Sequence, residues 1–73
     1  MMITGVAEVI VRKGLSEEYY IRSWEFGYDD LPDETTWLEV ERMVRADINN
    51  YYHGLIEDRP YGKFWEIGGI HSN

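Results

Sequence analysis

The chain of 73 residues has no cysteine and only two prolines. Without cysteine there is no disulfide to staple a small fold, no thiolate zinc site and no thiol nucleophile. Stability has to come from packing, and short chains bury a smaller share of their surface than long ones. No apolar run approaches the roughly 18 residues that a membrane-spanning helix needs. The opening stretch MMITGVAEVIVRKG is apolar but broken by Glu8. Its positive charges follow the apolar run, the reverse of a secretory signal. These absences predict one domain over residues 1–73, soluble and cytoplasmic.

Positive charge is also scarce: 7 Lys and Arg stand against 14 Asp and Glu, for a net charge of -7. The excess is concentrated. Residues 14–41 hold nine acids against Arg22 alone, a net of -8, while residues 42–73 are neutral. Phosphate contacts dominate nucleic-acid affinity, so the charge argues against direct DNA or RNA binding. It argues against attraction to an anionic membrane surface on the same ground. The partner such a field suits is a basic surface of another protein or ribonucleoprotein.

What is abundant is rings: 3 Trp, 6 Tyr and 2 Phe. Each buried ring removes a large apolar area from water. Residues 3–12 alternate as a strand, with Ile3, Gly5, Ala7, Val9 and Val11 on one face. Lys13-Gly14 reads as a turn. Residues 18–28, EYYIRSWEFGY, read as a second strand with Tyr20, Arg22, Trp24, Phe26 and Tyr28 on one face. A helix begun by Ser16, Glu17 and Glu18 is the competing reading. Rings, Ile21 and a short glycine-containing connection favour the strand. Residues 29–35, DDLPDET, form a loop.

Thr36 and Glu39 then make a capping box. Trp37, Val40, Val44, Ile48, Tyr51 and Leu55 follow at helical spacing and are expected to be the core stripe. The helix is predicted over about 37–53, with Gly54 as its C-cap. Residues 58–62 are a turn cluster. Residues 64–71 are a last strand, with Trp65 and Ile67 facing the core, Phe64, Glu66 and Ile70 on the other side, and a bulge or an end at Gly68-Gly69. The tail 71–73 is expected to fray. The predicted fold class is α+β: a ββαβ domain, one amphipathic helix packed on a three-stranded, mainly antiparallel sheet. The sheet's second face is left uncovered, which admits a second copy, a homodimer, as cover.

Reaction chemistry finds no foothold. Asp29, Asp30, Asp33 and Glu34 lack the alternating ligands and central glycine of a calcium loop. His53 and His71 stand far apart in the chain and make no ligand pair. Ser16, Ser23 and Ser72 have no activating motif around them. GGIH at residues 68–71 precedes no helix that would hold a phosphate. The chain is therefore expected to be no enzyme, and to need neither metal nor cofactor.

The stretch that stands out is WEFGYDDLPDETTWLEVE, residues 24–41, with seven carboxylates, four rings and no positive charge. Glu17, Glu18, Glu25, Asp29, Asp30, Asp33 and Glu34 are the candidate partner-binding acidic face. Trp24, Phe26 and Tyr28 are the candidate aromatic anchors, because exposed Trp and Tyr are enriched at interface hot spots. In size, charge and want of catalytic motifs the whole chain resembles the small acidic inhibitors that bacteriophages and mobile elements encode. These are the anti-CRISPR proteins, the DNA-mimic restriction inhibitors and the phage inhibitors of bacterial RNA polymerase. The resemblance rests on overall character and on no motif. It implies a non-catalytic viral protein, acting in the bacterial cytoplasm, that occludes a basic groove of a CRISPR effector, nuclease or RNA polymerase. The alternative is a self-assembling structural module whose acidic block only keeps it soluble.

Overall fold

β1 (Ile3–Arg12) is the middle strand of a three-stranded sheet ordered β2-β1-β3, and both of its neighbours run antiparallel to it. β2 spans Tyr19–Tyr28, α1 spans Trp37–Ile56 and β3 spans Trp65–Ser72. The computed structural model describes residues 1–12, 18–56 and 65–73, with the backbone alone for 53–56. The turns expected at Lys13-Gly14 and at residues 58–62 lie outside the described residues, as do Ser16 and Phe64. The segment that admitted either strand or helix is strand. The fold is a small α+β domain with one open sheet and one helix.

The core follows from strand parity. Gly5, Ala7 and Val9 on β1 are buried under the helix. Val40, Val44 and Ile48 of α1 join Ala7 and Val9 in one buried cluster, each fully buried, while the helix backbone comes nearest to β3. Full burial of such a side chain is worth about 1.5–3 kcal/mol. On the flanking strands larger groups complete the layer: Phe26 from β2 and Trp65 from β3. Gly5 faces Phe26 across the β1–β2 ladder. A Cβ at Gly5 would strike the His71 carbonyl oxygen and would stand 2.5 Å from Phe26 Cζ. The ring occupies the space that any side chain at position 5 would need.

The Gly68-Gly69 bulge is present. Ala7 pairs with Ile70 but Val9 pairs with Ile67, so β3 carries one extra residue opposite Glu8. The shift reverses side-chain parity beyond it. Ile70 therefore joins Ile67 and Trp65 against the core instead of lying with Glu66 on the outer face.

The helix differs from expectation in three ways. It runs through Gly54 to Ile56, so Gly54 is no C-cap. Tyr52 is buried and Tyr51 is 52% exposed, because the inward stripe keeps a step of four from Val40 through Val44 and Ile48. Trp37, expected in the core, is 37% exposed at the first helical turn. The tail is paired: Ser72 faces Gly5, and Asn73 donates its backbone N–H to the Thr4 carbonyl at 3.0 Å and its Nδ2 to Thr4 Oγ1 at 3.1 Å. Among the described residues no helix is long and apolar enough to cross a membrane.

Candidate functional site at the acidic end

The β2–α1 connection is held at several points. Leu31 N–H donates to the Met1 carbonyl at 3.0 Å, and the Met1 amino group donates to the Leu31 carbonyl at 2.9 Å. Thr35 N–H closes a turn onto the Pro32 carbonyl at 3.0 Å, with Asp33 and Glu34 at the turn's two central positions. Asp30 has φ of 57°, a left-handed conformation that Asp tolerates better than most residues. The capping box closes in both directions: Glu39 N–H donates to Thr36 Oγ1, and Thr36 N–H donates to Glu39 Oε2, each at 3.3 Å.

Asp29, Asp30, Asp33 and Glu34 are all exposed on this connection, and none forms an ion pair with another described residue. Their carboxylates stand on an ordered backbone, beside the positive end of the α1 dipole. The apolar groups exposed at the same end are Trp37 (37%), Leu38 (57%), Met1 and Met2. The fold thus gathers an acidic loop with an exposed ring and leucine.

The other proposed acidic residues do not join it. Glu18 precedes Tyr19, at the far end of β2, about 30 Å of strand away from Asp29. Glu25 sits on the outer sheet face opposite Val6. Glu17 lies outside the described residues. The run is continuous in sequence and divided in space.

The proposed anchors are placed inward. Phe26 is buried at 9% exposure, while Trp24 and Tyr28 are half-buried and pack on the core. Trp24 meets Tyr51 edge-on, with centroids 5.3 Å apart, and Tyr52 packs on Trp65 at 5.8 Å. These rings sit beneath or beside the helix because their face of β2 is the one that α1 covers. The apolar groups left exposed at the acidic end are instead Trp37 and Leu38, with Met1 and Met2. A signal for Trp37 was present in the sequence: it directly follows the capping threonine, and first-turn residues overhang the end of a core.

Tyr28 donates its hydroxyl to Asp47 Oδ2 at 2.5 Å. Burial, this hydrogen bond and the nearby carboxylate charge all raise the phenol well above its ordinary value of 10.0. Tyr52 is raised as well, first by burial, against a lowering influence from Arg22. Both hydroxyls stay protonated across neutral pH, and the Tyr28–Asp47 bond pins α1 to β2.

The outer sheet face carries Tyr19, Ile21, Ser23 and Glu25 from β2 and Val6, Glu8, Ile10 and Arg12 from β1. Arg12 Nη2 pairs with Glu66 Oε1 at 3.2 Å across this face. Both partners are well exposed, so the pair contributes little to stability. Among the described residues, no three His, Asp or Glu side chains converge as a metal site requires. No protein-family model matches the chain, and no curated protein or solved structure matches it either.

Proposed function

We propose that the chain is a non-catalytic binding protein that presents its acidic end to a basic surface of another macromolecule and blocks that surface. The observation that carries this reading is the ordered loop with Asp29, Asp30, Asp33 and Glu34 exposed, and without an ion-pair partner among the described residues, beside Trp37 and Leu38. A loop already fixed loses little entropy on binding. Its field accelerates encounter with a positive groove, and the apolar pair slows departure. The target class is a bacterial complex that holds nucleic acid in a basic channel, such as a CRISPR effector, nuclease or RNA polymerase. The source is a phage or mobile element, and the site of action the host cytoplasm.

The test combines capture from bacterial lysate with a charge-neutral variant. Wild type should retain such a complex at low salt and release it near 0.5 M, where the Debye length is a few Å. A D29N/D30N/D33N/E34Q variant should lose at least tenfold in affinity with its fold intact, since Asn also tolerates the left-handed φ at position 30. If the neutral variant binds and inhibits as well as wild type, the reading is wrong.

A second reading has its own observation. Tyr19 and Ile21 are 59% and 57% exposed on the outer sheet face. That apolar surface favours an assembly module in which the acids only solubilise.

A further inference from the structure

We infer that the edge of β2 turned away from β1, unpaired among the described residues, is a pairing surface for β2 of a second copy, giving an antiparallel dimer with a continuous six-stranded sheet. The inference stands independently of any partner for the acidic end.

The two outer strands of the sheet are not alike. β3 is interrupted by its bulge and holds two glycines within eight residues. β2 pairs with β1 over all ten residues without a break, and among the described residues β1 is its only strand neighbour. An unpaired strand edge is a template for another strand, and proteins usually blunt it with proline, lysine or a bulge. β2 has no proline, lysine or bulge, and its charges are limited to Arg22 on the helix-side face and Glu25 on the outer face, which restrict the register of pairing. It has Tyr19, Tyr20 and Ile21 exposed instead, with Tyr51 exposed beside Trp24 above the edge.

Symmetry and charge restrict the pairing. A two-fold axis normal to the sheet keeps both helices on one side, so residues of like parity face each other. With the axis at Arg22 or at Glu25, two like charges stand directly opposite, which is destabilising. Centres further out leave half the strand unpaired. Two registers remain. With the axis at Ser23, Arg22 faces Trp24 of the second copy, a cation against a ring face. With the axis at Trp24, Tyr20 faces Tyr28 of the second copy and Ser23 faces its Glu25.

Either register also suits the net charge. The acidic loop follows Tyr28, so antiparallel pairing sends the two loops to opposite ends, separated by about 30 Å of strand. That is several times the physiological Debye length of about 8 Å. The mutual repulsion of two chains of charge -7 is thereby screened, and both acidic ends remain open.

The chain has no cysteine, so single introduced thiols report the geometry without background. Directly opposite residues have Cα atoms about 4.5–5.5 Å apart, within disulfide reach. Ser23 and Glu25 are exposed on the outer face and outside the core. Sedimentation of wild type alone at about 0.15 M salt should show mass rising with concentration from 8.7 kDa towards twice that value. Under mild oxidation, either S23C should cross-link to itself, or an equal mixture of S23C and E25C should cross-link as a heterodimer. The yield should be at least tenfold that of N50C, an exposed helix control. A monomer up to millimolar concentration overturns the proposal. So does a dimer in which neither thiol pair exceeds the control.

Discussion

β1 and β2 have the same length and pair residue for residue, yet they meet the helix in opposite ways. β1 offers Gly5, Ala7 and Val9, small groups buried beneath the helix side chains. β2 offers Trp24, Phe26 and Tyr28, and reaches up to the helix with rings. A single helix cannot lie directly over three strands. Its backbone comes nearest to β3, so β2 on the other edge of the sheet has the wider gap to bridge. The rings of β2 fill the space on the side of the sheet away from the helix's nearest strand, and several of the chain's aromatics serve that packing.

The largest effect should come from removing the bridge. Phe26→Ala should lose about 3–5 kcal/mol in urea unfolding. That approaches the whole stability of a domain of this size, at about 0.05–0.15 kcal/mol per residue. Tyr19→Ala, on the exposed face of the same strand, should stay within about 0.5 kcal/mol. Equal losses at both positions would break the contrast between the two faces of β2.

The next test sets a glycine of each strand side by side. Gly5 and Gly27 lie in neighbouring rows of the β1–β2 ladder. An added methyl at Gly5 meets a carbonyl oxygen and the Phe26 ring, whereas at Gly27 it finds Thr4 Cγ2 at an ordinary 3.5 Å. Gly5→Ala should cost about 1–3 kcal/mol by overpacking. Gly27→Ala should be close to neutral or slightly stabilising, since alanine lowers unfolded-chain entropy.

The smallest effect under ordinary conditions is the titration of the β2–helix bond. The Tyr28 phenol is raised in the folded protein, so folding favours its protonated form. Below about pH 10, the unfolded value, this contribution is fully present. As pH rises further the unfolded state sheds its proton first, and stability falls. Melting followed from pH 8 to 11.5 should be level and then drop above pH 10. Tyr28→Phe should flatten that drop. An unchanged slope would remove the Tyr28–Asp47 bond from the account.

Much of this was legible beforehand because it depends on local periodicity. Alternation in β1, the capping box at Thr36 and the helical step through Val40, Val44 and Ile48 are properties of neighbouring residues. What was not legible depends on placement. The sequence shows that Trp24, Phe26 and Tyr28 share a face, but only the helix decides which face is inside. Tyr51 and Tyr52 both fit a helical stripe, and the choice between them follows from helix rotation against Trp24 and Trp65. The acidic residues look like one surface in sequence because they are consecutive. A strand of ten residues carries Glu18 and Asp29 to opposite ends, and strand parity turns Glu25 outward while Phe26 turns in.

The extra residue in β3 has a consequence for how this chain tolerates change in length. Beyond Gly68-Gly69 the strand runs in a different phase from the part before it. Losing one of the two glycines would remove only that extra residue: Ile67 would still face Val9 and Ile70 would still face Ala7, so the ladder would become regular with Ile70 kept against the core. A shortening by one small residue at this point would thus be absorbed without turning any downstream side chain over. The glycine pair is the strand's slack in length.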